Sequence, residues 1–278
     1  MNLAAVQKSG KNQGRYLGET IRAGEWLEKM EFTGAQNGWT GELISKSENF
    51  PVKAWRLPAR TPSPANLRVY ISAGIHGDEP AGPLAAHDLM AFTPWPDNVD
   101  LWILPCLNPG ALEHNRRENA QGLDLNRDFR DSKTHECRSH VDWLERQEPW
   151  DIYFCLHEDW ESHGFYLYEQ NPDDRPSLAE WIIQEVGKVC PIDLSENIEG
   201  RTAHNGIIRP NIHPLERPDW PEAFYLISHK SRQGYTLEAP SDFPLPMRVR
   251  ALTSAVLAGI HRLAKLRGHP IPGQPVQA

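Results

Sequence analysis

The apolar positions along the chain change period several times. In "YLGETIRAGEWLEKMEF", Leu17, Ile21, Trp26 and Leu27 recur at about 3.6 residues, the spacing of one helix face, so the stretch predicts a helix. The turn-rich "TGAQNGWTG" is expected to end it. "FPVKAWRLPA" alternates like a strand, and "RTPSPAN" reads as a loop, because its prolines lack the amide hydrogens a ladder needs. "LRVYISAGI" is β-branched and apolar. It runs into "DEPAGPLAAHDLMAF", where Leu84, Leu89 and Met90 share a face, so a strand feeds a helix.

The alternation continues. "VDLWILPCLNP", "WDIYFCLHE" and "GFYLYEQ" predict strands, while "CRSHVDWLERQ" and "PSLAEWIIQEVGKV" predict helices. Residues 205–223 hold four prolines and no clear period, and read as a long surface loop, either a pocket wall or lid or plain packing against the domain edge. "QGYTLEAPS" gives a last short strand. A final helix follows, with Leu252, Val256, Ile260 and Leu263 on one side and a glycine stop. The expected fold is a single α/β domain over residues 1–268, a mainly parallel mixed twisted sheet with helices on both faces. Residues 269–278 are expected to be a disordered tail.

Charge narrows the partners. Thirty-seven acidic residues against 29 basic ones give −8, which disfavours a general nucleic-acid or anionic-membrane surface. The first residues lack the apolar core of a signal peptide, and no run reaches membrane-spanning length, so a soluble cytoplasmic protein is expected. Cys106, Cys137, Cys155 and Cys190 form no C-x-x-C pair and read as reduced, structural residues.

In open parallel sheets, ligands collect at the carboxyl edge of the strands. "AGIHGDEPAG" puts His76 and Glu79 just after one strand, "CLHED" puts His157 at the end of another, and "YTLEAP" puts Glu238 there on a third. Zinc accepts histidine nitrogen and carboxylate oxygen, and two histidines with one glutamate leave a position open for water. The H-x-x-E spacing alone fits a solvated turn better than a metal pair. His157 alone fits a strand-end histidine, and Glu238 a capping residue. Between the clusters, "NPGALEHNRRENAQGLDLNRDF" is polar and rich in arginine. Its guanidiniums suit a carboxylate fork, although Glu113, Glu118, Asp124 and Asp128 also make it a charge-balanced loop.

Taken together, "GIHGDEPAG", "NPGALEHNRRENAQGLDLNRDF", "CLHED" and "YTLEAPS", in this order between residues 70 and 240, resemble the zinc metallocarboxypeptidase superfamily (the M14 peptidases), which includes the succinylglutamate desuccinylase and aspartoacylase branch. The "RRENAQGLDLNR" run is the most specific part. The resemblance implies a zinc carboxypeptidase-like fold and one Zn2+ per chain, held by His76, Glu79 and His157. It makes Glu238 the general base, Arg117 the residue facing the scissile carbonyl (with Arg116 as the alternative), and Asn126 and Arg127 the pair gripping a free carboxylate. It further implies cleavage of an amide beside that carboxylate, in a carboxypeptidase acting on short or cell-wall-type peptides. An N-acyl-amino-acid deacylase is the alternative, and a binding protein without turnover a third reading.

Several features depart from the family pattern. "NPGA" stands where many members have N-P-D-G, and "NRDF" replaces "NRNF", so Asp128 is expected to alter the charge seen near Arg127. A mobile tyrosine has two candidates, Tyr225 and Tyr235. Glu158, Asp159 and His163 read as solvated loop residues more readily than as partners orienting a ligand, and Asp78 as a bystander to the metal pair. The first sixty residues are left unexplained.

Overall fold

The computed structural model describes residues 8–10, 12, 16–92, 94–210 and 216–268. In chain order the strands are β1 (Thr40–Ser47), β2 (Phe50–Leu57), β3 (Leu67–Ala73), β4 (Val99–Leu104), β5 (Ile152–Asp159), β6 (Tyr166–Gln170), β7 (Asn197–Ile198), β8 (Arg201–Thr202), β9 (Ile207–Ile208) and β10 (Gly234–Pro240). The helices are α1 (Ala23–Gln36), α2 (Ala81–Ala91), α3 (Pro109–Glu113), α4 (His135–Glu145), α5 (Ala179–Val186), α6 (Glu222–His229) and α7 (Leu245–Leu266).

Eight strands form one sheet in the order β1-β2-β4-β3-β5-β10-β6-β9. β4, β3, β5 and β10 are parallel to their neighbours within that group, while β2 and β6 join it antiparallel. The β7–β8 hairpin stands apart. This is the single α/β domain with a mainly parallel mixed sheet that the alternation predicts.

The period-2 geometry of the central strands divides the core. Val69, Ile71, Phe154 and Leu237 face α2, α5 and α7, whereas Tyr70, Trp102, Tyr153 and Cys155 face α4 and α6. All four cysteines are buried and free. Among the described residues no helix is long and apolar enough to cross a membrane.

The N-terminal prediction needs correction. α1 begins at Ala23, not near Tyr16, and Leu17 is exposed. Ala23 N–H donates to the Glu113 carboxylate at 2.6 Å, which fixes where the helix starts. The helix also continues through "TGAQ", read above as a turn. Gly34 sits there against the Trp55 ring, where a Cβ would lie 2.4 Å from a ring carbon. β1 went unpredicted because it is an edge strand, largely exposed, without an apolar alternation. The stretch 205–223 is not all loop: it contains β9 and the start of α6. The part of it between 211 and 215 lies outside the described residues, as does the expected disordered tail at 269–278.

Candidate metal centre and substrate cavity

From β3 the chain crosses to β4 on one side and later returns to β5 on the other. The carboxyl ends of β3 and β5 therefore flank the point where strand order reverses, the place where crevices open in such sheets. His76 and Glu79 occupy the turn after β3, and His157 lies near the end of β5. All three are at most 5% exposed. His76 Nδ1 is 2.6 Å from Glu79 Oε1, and His157 Nδ1 is 2.9 Å from Glu79 Oε2. One donor atom from each residue lies within 4.8 Å of the others.

The donor set fits zinc. The far ring nitrogen of His76, Nε2, lies 3.1 Å from Asp124 Oδ1. A proton held there leaves the Nδ1 lone pair facing the cluster, the arrangement that orients a ligand histidine. Burial pulls the His76 pKa down, but Glu79 and Asp124 outweigh it and raise it to about 9. Burial pushes Glu79 up, and the two histidines bring it well below the ordinary carboxylate range. A dication held by His76, Glu79 and His157 would take the place of a proton on His76 Nδ1 and leave the one that Nε2 shares with Asp124.

The turn is shaped by close approach. Gly77 does not take a left-handed φ; instead, a Cβ there would lie 2.0 Å from the Ala111 carbonyl carbon in α3. The glycine is thus required by the α3 backbone, whose own start is fixed by Asn108 accepting from Ala111 N–H. Asp78 is not among the converging donors, and burial followed by the charge of Glu79 pushes its carboxyl up to about 6.

Glu238 reaches the same cavity from β10, where it is the register partner of His157. Burial, then repulsion by Glu79, holds its carboxyl well above the usual range, with Arg117 opposing. Arg117 lies 3.5 Å from Glu79 and 3.1 Å from Asp124. Arg116 instead pairs with Glu48, away from the cavity, so geometry brings Arg117 and not its neighbour to the site.

The segment carrying Arg117 is held by side chains. Buried Asn119 accepts from Gln121 and Leu123 N–H at 3.0 and 3.1 Å. Asp124 accepts from Asn126 N–H at 2.8 Å and so starts a 3-10 turn at Leu125–Arg127. Asn126 Oδ1 accepts from Glu222 N–H at 2.9 Å, the first amide of α6, which leaves its Nδ2 available to a ligand. Arg127 is exposed at the rim. Asp128, next to Arg127, accepts from Lys133 N–H, Thr134 N–H and the Thr134 hydroxyl and is absent from the cavity wall.

The cavity holds about 490 Å³, and all seven residues singled out from the sequence line it. A larger hollow of about 800 Å³ shares Gln170 and Pro210 with it but contains none of the converging donors. Neither Tyr225 nor Tyr235 borders the site cavity. Tyr225 stacks on His229, and the Tyr235 hydroxyl donates to Glu169; the tyrosine on the wall is Tyr168.

Sequence reading missed Arg201 and Arg217, which line the same wall. Arg217 lies over the Phe224 ring at 5.5 Å, and neither arginine forms an ion pair among the described residues. Asp124 was counted only as balancing charge. Glu158 and Asp159 are buried, not solvated: Glu158 faces Arg248, and Asp159 accepts from the Tyr166 hydroxyl. His163 is 77% exposed, as expected of a loop residue.

Comparison with known proteins agrees with this architecture. Residues 65–193 match the succinylglutamate desuccinylase/aspartoacylase catalytic domain family. A carboxypeptidase 2 from Trichophyton rubrum is 36% identical over 121 residues, 41% of this chain and 22% of that protein. The chain thus spans about a fifth of the length of the curated relatives it matches. A candidate metallopeptidase from Shewanella amazonensis SB2B superposes with a TM-score of 0.75 at 21% identity, covering 86% of this chain and 92% of the other. A metallo-carboxypeptidase from Burkholderia cenocepacia gives 0.65 at 19% identity, covering 86% and 68%. The chain thus has the zinc metallocarboxypeptidase (M14) fold, a match over residues 65–193 to the succinylglutamate desuccinylase/aspartoacylase catalytic domain, and carboxypeptidases among the proteins it is similar to.

Proposed function

We propose that this protein is a zinc-dependent hydrolase that cleaves an amide bond beside a free carboxylate, most simply a cytoplasmic carboxypeptidase acting on short or cell-wall-type peptides. One observation carries the reading: the buried His76, Glu79 and His157 donors converge in a cavity that Glu238 and Arg117 also line. Four free, buried cysteines are compatible with a reducing compartment.

When bound, Zn2+ supplies Lewis acidity and lowers the pKa of a coordinated water to about 7. Glu238 takes the proton of the attacking water and returns it to the leaving amine, a task for which a carboxyl above its ordinary range is suited. Arg117 faces the developing oxyanion, a role worth roughly 3–4 kcal/mol. Asn126 Nδ2 and the Arg127 fork take the free carboxylate.

A second reading, an N-acyl-amino-acid deacylase, is favoured by the family match and by Arg201 and Arg217, which offer charge beyond what one carboxylate uses. Zinc content and product analysis of the purified full chain test both. We expect about one zinc per chain and release of a single C-terminal residue from short peptides. Release of succinate or acetate from acylated amino acids, with peptides left intact, would select the second reading. A protein that binds no zinc would overturn both.

A further inference from the structure

The final helix carries one residue out of keeping with its surroundings. Arg248 lies one turn before Leu252 on the apolar stripe of α7 and is 1% exposed. Its guanidinium pairs with Glu158, whose side chain is wholly buried. A buried ion pair is weak evidence for stability, because desolvating two charges costs several kcal/mol that apolar side chains of similar volume avoid. The partners of the pair point to another use.

Glu158 follows His157 in β5 and turns to the opposite sheet face. Its second carboxylate oxygen accepts from Ala81 N–H at 2.5 Å, the first amide of α2, two residues after Glu79. Its own N–H donates to Glu79 Oε2 at 3.2 Å. Glu158 thereby ties the strand bearing one histidine to the turn bearing the glutamate. Behind it, Arg248 Nη2 donates to the Tyr16 hydroxyl at 3.0 Å and to Glu19 at 3.3 Å, and the guanidinium lies over the Tyr16 ring at 5.1 Å. Tyr16 in turn donates to Glu19 at 2.9 Å. Residues 16–19, which neither the resemblance nor a helix accounts for, close over this pair.

We propose that Arg248, gripped by Tyr16 and Glu19, is a positioning residue for the metal centre: through Glu158 it sets the separation of Glu79 from His157. The inference rests on the reading that His76, Glu79 and His157 bind zinc.

Two variants of the full chain test it. Tyr16→Phe removes one hydroxyl without changing ring volume. The Glu158→Gln/Arg248→Met double variant removes both charges and keeps an acceptor for Ala81 N–H. Chelator competition measures zinc affinity, the visible spectrum of the Co2+ form reports ligand geometry, and melting of the chelated protein reports the fold. We expect the double variant to melt within a few degrees of the parent while its zinc affinity falls about 10–100-fold and its Co2+ bands shift, as for other groups that orient ligands. Tyr16→Phe should shift both in the same direction by less. If both variants fold and bind zinc with parental affinity and parental Co2+ bands, Arg248 is structural and the inference is wrong. A parent that binds no zinc removes the metal reading itself, an outcome distinct from the first. If the double variant does not fold, Tyr16→Phe decides alone.

Discussion

His157 and Glu238 face the cavity from neighbouring strands in register, whereas Arg117, Asn126 and Arg127 reach it from a segment with only a 3-10 turn of regular structure. In the first case backbone ladders on both sides of β5 and β10 fix the geometry. In the second, buried Asn119, Asp124 and the first amide of α6 do so through a few side-chain hydrogen bonds. On the proposed reading, the strand half carries a metal donor, His157, and the proton acceptor, Glu238, while the loop half carries Asn126 and Arg127 for the carboxylate and Arg117 for the scissile bond. Removing Glu238 should therefore abolish chemistry and leave binding, while changing Arg127 should do the reverse.

The largest effect is expected at Glu238. Glu238→Gln keeps the shape and the strand register but cannot take a proton, and general-base catalysis is worth roughly 10²–10⁴-fold. We expect kcat to fall by that amount with KM and zinc content close to the parent. If the variant turns over at the parental rate, the proton is taken elsewhere and the division between the halves fails.

What could be read from the sequence follows the same division. The positions of His157 and Glu238 are legible because strand alternation carries a polar residue to a known edge, and those of His76 and Glu79 because the preceding strand is unmistakable, but their roles are read only beside the "RRENAQGLDLNR" run. For the arginines even the position rests on that resemblance, since nothing in a loop's composition says which guanidinium turns inward. Arg116 and Arg117 are adjacent, and it is Glu48, on a distant hairpin, that draws one of them away. Arg201, Arg217 and the Tyr16–Arg248–Glu158 chain of contacts were illegible because their partners lie far off in sequence. Arg248 alone left a trace, a charge on an apolar helix face. The solvated reading of Glu158 failed because an acid beside a ligand looks like a loop residue until α7 is packed over it.

Next in size is the pH dependence of metal uptake, which belongs to the ligand cluster and not to the arginines. His76 has its pKa raised to about 9, so below that pH its ring carries a proton that must leave before both nitrogens can serve, one toward the ion and one toward Asp124. Zinc binding should release a proton, and apparent affinity should weaken about tenfold for each unit the pH falls below that value. Competition titrations between pH 6 and 8 would check the slope. An affinity flat over this range would mean that the ring is already neutral and that Asp124 does not hold it as the geometry implies.

The smallest effect, and the finest test of the loop half, is at Arg127. It sits exposed at the rim and donates to the carbonyl of Asn126 at 2.8 Å, so its fork is steered by the same turn that presents the Asn126 amide. Arg127→Lys keeps the charge but gives up the planar pair of donors that matches a carboxylate. Losing one charge-assisted bond costs about 1.5 kcal/mol, or roughly a tenfold rise in KM. Because the carboxylate is bound equally in the ground and transition states, kcat should change little. A matching fall in kcat would mean that this arginine also orients the scissile bond. Arg127 would then join Arg117 in the chemistry, and recognition and catalysis would share one set of contacts.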